Sequence, residues 1–244
     1  MTVDDGQVRV AIDGAVATLL IDNPGKRNAM TAAMWTAVPK LLEGLAADPA
    51  VKVVIVAGAG GTFCAGADIS DAAAIAADGE DSVAVHAERA LAAFPKPTLA
   101  QIDGFCVGGG CQLAVACDLR FAAEDSRFGI TPAKLGIVYP ASTTRRLVAL
   151  VGPARAKLLL FTGELIDARS AERIGLVDAV VAPDTLAAAV RDTATTITGR
   201  SQLSVRSAKA IIDGWDGLVR QDLTEVAEGI AAFRARRAPV WPAG

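Results

Sequence analysis

Two glycine-rich segments contain the residues of this chain best suited to chemistry. FCAGADI (63–69) places Gly66 directly before the small residue Ala67, and FCVGGGCQLA (105–114) places three glycines where a loop is expected to become a helix. Glycine permits positive φ and a close approach of backbone to ligand. A helix N-terminus presents unpaired N–H groups and a partial positive charge. Two such N–H groups aimed at one point form an oxyanion hole, which stabilises the enolate of a thioester.

The spacing of these glycines leaves a second interpretation open, in which they only form tight turns between strands and helices. The chain contains neither G-x-G-x-x-G nor G-x-x-x-x-G-K-[ST], so it carries no sign of a nucleotide-binding fold of those types. The choice between turns and an oxyanion hole therefore depends on the rest of the sequence.

Composition restricts the classes of function. The 244 residues are 52% hydrophobic and 21% charged, which predicts a large aliphatic core. A net charge of −3 gives no reason to expect nucleic acid or an anionic membrane as partner. Four cysteines without a C-x-x-C pair and a single histidine argue against a metal site. The acidic N-terminus and the absence of a long apolar run predict a cytoplasmic protein without a signal peptide.

The elements that must position the glycines alternate between strands and helices in the first half. Asp13 and Gly14 lie between two apolar runs and predict a hairpin closed by a type I′ turn. Thr31 is predicted to cap a helix that ends near residue 46. Further strands are predicted at 51–57, 98–102 and 118–123, helices at 83–93 and 109–117, a glycine-rich turn at 103–110 and a mobile surface segment at 70–82.

The second half of the chain is predominantly helical and shows no internal repeat. Helical periodicity is present at 142–151, 153–162, 170–175, 185–198, 201–214 and 218–235, with short strand-like breaks at 163–166 and 176–181. We therefore expect an α/β fold with a core over 1–190, and a helical region with a docked tail over 191–244.

Four ordered blocks of the sequence resemble the crotonase superfamily, which is the enoyl-CoA hydratase/isomerase family. They are NPGKRNAM (23–30), FCAGADI (63–69), the segment from FPKPTLAQ to DSRFG (94–129) and FTGELIDARSAERIGLVDAVV (161–181). The resemblance implies a spiral of ββα repeats with a C-terminal helical region that forms a trimer, or a hexamer built as a dimer of trimers. It also implies an acyl-CoA substrate, with no cofactor besides the CoA that the substrate carries.

The resemblance assigns roles to individual residues. The two oxyanion donors fall on the backbone N–H groups of Ala67 and Gly109. Residues expected along the CoA are Ala65, Asp68 and Ile69 at the adenine end, and Arg27 and Ala29 beside the pantetheine and phosphates. Asp68 is also expected to form a turn. Arg236 and Arg237 in the tail either reach a neighbouring subunit's CoA or are simply solvated.

Both carboxylates that a hydratase of this family uses are replaced. The first glutamate position, three residues after Gly109, is Gln112, and the second falls on Pro132. Glutamine cannot exchange a proton at neutral pH and proline has no polar side-chain atom. Standard addition of water, which needs a general base and an acid, is therefore not expected.

The segment from Thr131 to Tyr139 resembles that of methylmalonyl-CoA decarboxylases in the same superfamily. Loss of CO2 creates an enolate without a base, and Tyr139 could hold the substrate carboxylate or supply a proton; otherwise it is a half-buried tyrosine with a satisfied hydroxyl. Those decarboxylases carry a glutamate at the Gln112 position and a histidine at the Ala67 position, so the match is partial. The sequence thus predicts a lyase acting on acyl-CoA thioesters, with a malonyl-type decarboxylase and a non-catalytic acyl-CoA binding protein as alternatives.

Three further residues with reactive side chains are expected to be structural. His86 is predicted to be exposed on a helix, and Asp118 to hydrogen-bond to its surroundings. Cys111 follows the glycines on the first turn of a helix, where a thiolate is favoured, but its neighbours are apolar and predict packing.

Overall fold

Apolar runs of five to seven residues in the first half of the chain assemble into a central sheet in the computed structural model. The structure describes residues 6–71, 75, 79–214, 217 and 220–241. Six strands follow the order β1-β2-β3-β4-β6-β9, and a smaller sheet has the order β5-β7-β8. The strands are β1 (Gln7–Asp13), β2 (Val16–Asp22), β3 (Val53–Gly58), β4 (Thr98–Ile102), β5 (Phe105–Val107), β6 (Leu119–Ala123), β7 (Arg127–Gly129), β8 (Ile166–Asp167) and β9 (Ala179–Val181).

The predicted hairpin forms, but its turn differs from the expected type. β1 and β2 are antiparallel and Asp13 pairs with Val16, so Gly14 and Ala15 are the central turn residues. Gly14 has φ 58° while Ala15 is not among the residues with positive φ. A type I′ turn needs positive φ at both central positions, so that prediction was wrong. Every other pair in the large sheet is parallel.

The helices begin and end close to their predicted positions. Thr31 caps the first one, since its Oγ1 accepts a hydrogen bond from Met34 N at 3.3 Å. The α-helices are α1 (Ala32–Ala47), α2 (Val83–Ala92), α3 (Gly109–Ala116), α4 (Pro132–Leu135), α5 (Ala141–Thr162), α6 (Ala168–Arg173), α7 (Leu186–Thr198), α8 (Gln202–Ile212) and α9 (Leu223–Ala235). The two helices predicted at 142–151 and 153–162 are the halves of α5, which breaks at Gly152 (φ 74°, ψ 164°) before Pro153.

Both faces of the large sheet are largely buried along β2, β3 and β4, which is usual for parallel strands, whereas the edge strand β1 is mostly exposed. Along β3, Val54 and Val56 belong to the main core with Trp35, whereas Val53 and Ile55 belong to a second cluster on the other face. α1 and α2 pack against each other over the main core. α7 covers the opposite face through the side chains of Leu186, Val190 and Ala194. The predicted α/β class is thus confirmed.

Two predictions require correction, and two of the predicted segments lie partly outside the described residues. The segment 103–110, expected to be only a turn, contains β5, which pairs in parallel with β7. The helix expected to begin at residue 218 begins at Leu223, because Asp222 caps it through hydrogen bonds to Thr224 N and Glu225 N. Residues 72–74 and 76–78 of the mobile segment predicted at 70–82 lie outside the described residues. So do residues 218–219, at the start of the helix predicted at 218–235. Within the described ranges, no helix combines the length and apolarity needed to cross a bilayer.

Candidate active site

The loop that precedes α1 is held in an unusual backbone conformation by a buried asparagine. Arg27 and Asn28 both have positive φ, 52° and 57°. The Asn28 side chain is fully buried; its Oδ1 accepts from Asn23 N at 2.9 Å and its Nδ2 donates to Ala59 O at 2.8 Å. Asparagine tolerates this region better than most residues. The conformational free energy that positive φ costs at these positions is therefore offset by the hydrogen bonds of the Asn28 side chain. These bonds also hold the backbone on either side of Asn28, at Arg27 and Ala29.

The two glycine-rich segments meet behind this loop. Met30 forms an isolated parallel bridge with Ala67, and Cys64 forms one with Cys106. Gly66 has φ 112°, and a Cβ placed on it would lie 3.5 Å from Gly109 N. A Cβ on Gly109 would lie 3.4 Å from Ala67 N. The structure therefore brings Ala67 and Gly109 side by side.

Both backbone N–H groups at this junction are free to bind a ligand. Met30 N donates to Gly66 O and Asp68 N donates to Met30 O, each at 2.8 Å, so the N–H of Ala67 points away from Met30. Gly109 is the first residue of α3, whose N–H has no partner one turn earlier. Neither N–H donates a hydrogen bond to any residue that the structure describes. Both groups are therefore available to donate to a ligand bound at this junction.

The N-cap of α3 depends on glycine. Gly108 has φ 54° and ψ −115°, a combination that residues with a side chain do not adopt without strain. Its N–H donates to Gly129 O at 2.8 Å and its carbonyl accepts from Gln112 N at 3.1 Å. These bonds fix the direction from which α3 presents its N-terminus.

Gln112 does not stand alone, because a buried glutamate that sequence reasoning overlooked lies against it. Gln112 Nε2 donates to Glu88 Oε2 at 2.8 Å and to Thr143 Oγ1 at 3.1 Å. Thr143 Oγ1 also donates to Glu88, and Arg146 Nε donates to Glu88 Oε1 at 3.0 Å. The Glu88 side chain is fully buried. Glu88, Gln112, Thr143 and Arg146 are called the Glu88 network below.

The sequence did contain a signal for Glu88. On α2, the buried positions are Ala84, Val85, Ala87 and Leu91, and Glu88 lies on the same apolar stripe. A charged residue within such a stripe must be paired when it is buried. His86, the more conspicuous residue of this helix, is exposed as predicted.

Tyr139 lies at the edge of the hole. Its hydroxyl donates to Gly108 O at 3.4 Å, and its ring packs against the main core. Burial raises the pKa of Tyr139 well above its usual range, and the nearby Cys111 and Glu88 raise it further. Tyr139 is therefore a neutral donor and not a base. Pro132, at the second glutamate position, is buried at the start of α4 and brings no carboxylate to the site.

The residues expected along CoA lie on two adjacent backbone segments, the loop before α1 and the segment 63–69. Ala65 N donates to Arg27 O at 3.0 Å, and the Arg27 guanidinium lies 5.1 Å from the centre of the Phe105 ring. Ile69 is 85% exposed although its side chain is apolar. These positions border the hole on the side of the Arg27 loop.

Asp68 in the segment 63–69 forms the predicted turn. Its Oδ2 accepts from Lys26 Nζ at 2.6 Å, and its Oδ1 accepts from Ser70 Oγ at 2.8 Å. The hydrogen bond from Lys26, followed by those from Ser70, lowers the pKa of Asp68 to about 2. The carboxylate is therefore ionised at neutral pH and joins the Arg27 loop to the 63–69 segment.

Other candidate residues have structural partners. Asp118 Oδ2 accepts from Thr98 N at 2.7 Å, and Asp118 also contacts Lys209. In the tail, Arg237 makes two hydrogen bonds to Glu228, at 2.6 and 2.8 Å, so it is engaged within its own chain. Trp241 Nε1 donates to Gly199 O at 2.9 Å, which shows that the tail docks as expected. In the described ranges, no three His, Cys, Asp or Glu side chains are grouped to hold a metal.

Comparison with known proteins decides the family. The model of the family described as enoyl-CoA hydratase/isomerase matches residues 11–227. The chain belongs to this family. It is 39% identical over 199 residues to a crotonyl-CoA hydratase of Syntrophomonas wolfei, covering 80% of this chain and 76% of that protein. It is 33% identical to a probable enoyl-CoA hydratase of Mycobacterium leprae, covering 94% and 96%.

Solved structures of the enoyl-CoA hydratase/isomerase family share the same fold. A family member superposes with a TM-score of 0.90 at 38% identity and 97% coverage of both chains. An enoyl-CoA hydratase/carnithine racemase from Magnetospirillum magneticum gives a TM-score of 0.90 at 34% identity, covering 100% of this chain and 97% of that one. The crotonase resemblance of the sequence is therefore confirmed over the whole chain.

Proposed function

We propose that this protein is an enzyme that binds an acyl-CoA thioester and stabilises its enolate between the N–H groups of Ala67 and Gly109. One observation carries the proposal: the N–H groups of Ala67 and Gly109 lie on adjoining segments, and neither has an acceptor among the described residues. A thioester carbonyl there would receive both hydrogen bonds, which are worth most when negative charge develops on the oxygen. Membership of the enoyl-CoA hydratase/isomerase family supports the choice of an acyl-CoA.

The CoA portion is proposed to follow the strip from Arg27 and Ala29 to Ala65, Asp68 and Ile69. The backbone there is fixed by the Asn28 bonds and by the Lys26–Asp68 pair. Exposed Ile69 offers an apolar surface for the adenine ring. Because the strip leads directly to the hole, a ligand bound along it would deliver its thioester to Ala67 and Gly109.

The reaction at this hole is proposed to differ from ordinary hydration. Gln112 cannot take up a proton, and Pro132 has no group that could donate one. The neutral hydroxyl of Tyr139 favours decarboxylation of a malonyl-type thioester as the second candidate. The electron pair of the broken C–C bond would pass into the enolate, CO2 would leave, and Tyr139 would protonate the α-carbon and regain its proton from solvent.

Turnover and binding assays separate these possibilities. The protein is incubated with crotonyl-CoA, malonyl-CoA and methylmalonyl-CoA, and binding of butyryl-CoA is measured by calorimetry. Release of CO2 without hydration supports decarboxylation, and Tyr139→Phe should then lower kcat by about tenfold or more. Binding without turnover of any of the three would leave the non-catalytic acyl-CoA protein, and hydration of crotonyl-CoA at an ordinary rate would contradict the assigned loss of the glutamates.

The hole itself is tested by filling it. Gly109→Ala places a methyl group 2.8 Å from the Trp35 ring and 3.4 Å from Ala67 N, so it should weaken butyryl-CoA binding by about tenfold or more. Gly44→Ala is the matched control, because Gly44 lies within α1 with no atom near its Cβ position. Equal affinity of both variants would argue against a thioester at this point.

We also propose that the C-terminal helices form a homotrimer, alone or as half of a hexamer. Three side chains of α8 and α9 support this: Ile212 is 82% exposed, Leu223 76% and Phe233 86%. Apolar groups this exposed are typical of surfaces that another chain covers. Sedimentation velocity should show three or six times the mass of 24.9 kDa, and Phe233→Glu should shift the protein toward the monomer.

A further inference from the structure

The Glu88 network determines which way the Gln112 amide faces. A carboxylate only accepts hydrogen bonds, so the group that meets Glu88 Oε2 at 2.8 Å must be the NH2 of Gln112. The second hydrogen of that NH2 is used by Thr143 Oγ1 at 3.1 Å, and the Thr143 hydroxyl hydrogen is used by Glu88. Turning the amide over would place two oxygens against each other.

The remaining atom of the amide, Gln112 Oε1, is left as an acceptor. It receives no hydrogen bond from the described residues, and it is not among their buried side-chain atoms that lack a partner. Although Gln112 is a buried residue, its Oε1 therefore keeps some accessible surface. Gln112 lies three residues after Gly109 on α3, which corresponds to about 4.5 Å along the helix axis. Gln112 and Gly109 therefore lie on the same first turn of α3.

We propose that Glu88 is a positioning residue that holds Gln112 with its carbonyl oxygen toward the acyl group, so that the site prefers an acyl-CoA carrying a hydrogen-bond donor near its β-carbon. This inference rests on the proposed function. Arg146 balances the Glu88 charge from the other side through the 3.0 Å bond to Oε1. Because Glu88 is fully buried, it acts through Gln112 and does not itself meet the ligand.

The test compares two ligands that differ by one hydroxyl, 3-hydroxybutyryl-CoA and butyryl-CoA. The wild-type protein should bind the hydroxylated ligand about five- to tenfold more tightly, as expected for one hydrogen bond. Glu88→Gln can donate to Gln112 Oε1 and so permits the flipped amide, and it should bring the ratio of the two Kd values close to one. A merely structural Glu88 would weaken both ligands alike and leave the ratio unchanged, which would overturn the proposal.

Two further variants complete the design. Gln112→Leu removes the acceptor with Glu88 in place and should also abolish the preference, so the test does not depend on the folding of Glu88→Gln. Glu80→Gln is the matched control, because Glu80 likewise accepts a hydrogen bond from a side-chain hydroxyl (Ser142) and pairs with an arginine (Arg89), but lies at the surface. It should keep the wild-type ratio. Equal wild-type affinity for both ligands refutes this inference alone, whereas no binding of either ligand refutes the proposed function as well.

Discussion

Asp68 is the residue whose contribution should depend most clearly on pH. Its pKa is lowered to about 2 by the hydrogen bond from Lys26 and those from Ser70. A carboxylate with a depressed pKa stabilises the fold above its unfolded pKa of about 3.9, and this contribution is lost as the pH falls toward 2. Asp68→Asn should lower the free energy of unfolding by about 1–2 kcal/mol at pH 7. Urea titrations at pH 7 and pH 2.5 should show the difference shrinking in acid.

The same titrations on Asp125→Asn provide the comparison for Asp68. Asp125 is exposed, and its change should alter stability by less than about 0.5 kcal/mol at either pH. If Asp68→Asn and Asp125→Asn behave alike at pH 7, the Lys26–Asp68 pair contributes nothing measurable to the fold.

Restoring a glutamate at the first hydratase position should fail unless Glu88 is changed with it. Gln112→Glu would place a second carboxyl group 2.8 Å from the Glu88 carboxylate, and two buried like charges cannot both ionise at that separation. In the folded variant the introduced carboxyl would have a pKa raised above its unfolded value of about 4.3. The variant is therefore most stable below pH 4, where this carboxyl is protonated, and it loses stability as the pH rises. We expect a deficit of about 1–3 kcal/mol at pH 8.

The exchange variant, Glu88→Gln with Gln112→Glu, is the control for this clash. It retains one carboxylate and one amide in the same hydrogen bond and should recover most of the lost stability at pH 8. Thermal unfolding of the single and double variants at pH 5 and pH 8 measures both effects. A Gln112→Glu protein with the same pH profile as the wild type would show that the two side chains do not share the buried contact.

Residue identities and spacing could reveal backbone chemistry but not every buried side chain. The family blocks assigned roles to Ala67 and Gly109, whereas the spacing of the glycines by itself left open that they only form turns. Glu88 was overlooked because the hydrogen bonds that allow its carboxylate to be buried come from Thr143 and Arg146, more than fifty positions later in the chain. Only the packing of α2 against α3 and α5 brings these side chains together.

At the scale of elements, the end of α1 depends on a lysine from another segment. Lys96 is buried, and its Nζ donates to Leu45 O at 2.7 Å and to Asp48 O at 2.6 Å. The last carbonyls of a helix have no partners within it. Lys96→Met keeps the length but removes the donors, so it should destabilise the protein by about 1–3 kcal/mol.

Thermal unfolding and hydrogen exchange measure the effect of Lys96→Met. Exchange should accelerate most in the last turn of α1, near Leu45, because that turn loses its cap. Lys157→Met, at an exposed position of α5, should change neither quantity appreciably. Uniform acceleration over the whole chain would mean that Lys96 acts through packing and not as a cap.

Element boundaries could be predicted wherever a local signal was strong. Thr31 and Gly152 mark the start of α1 and the break in α5 by their own chemistry. β5 was hidden in a glycine-rich stretch, because three residues are too few to show a period and its partner β7 lies twenty residues away. The turn type at Gly14 depended on which residues of the two strands pair, and composition does not determine that.

At the scale of the whole molecule, burial of the main core extends directly to the candidate site. Cys64, Cys106 and Cys111 lie beneath the hole, with 3.7 Å between the sulfurs of Cys106 and Cys111. Cys117 is buried at the other end of α3. The segments of Ala67 and Gly109 therefore rest on the same packed core that determines global stability, and ligand binding at the proposed site should stabilise the molecule as a unit.

The four buried thiols can report this coupling. Burial raises the pKa of Cys64 and of Cys117 to about 12 and raises that of Cys106 as well, so these thiols stay protonated and unreactive at pH 8. A disulfide reagent at pH 8 is added to the native protein and to the protein unfolded in 8 M urea. In the time needed to modify all four thiols of the unfolded protein, the native protein should remain unlabelled. Butyryl-CoA at about 100 times its Kd should slow native labelling about 100-fold at every cysteine, if reaction requires global unfolding. Peptide mass spectrometry measures the labelling rate at each cysteine. If butyryl-CoA slows labelling at Cys64, Cys106 and Cys111 but not at Cys117, the proposed site opens locally. Rapid labelling without urea would contradict the burial of the core beneath the site.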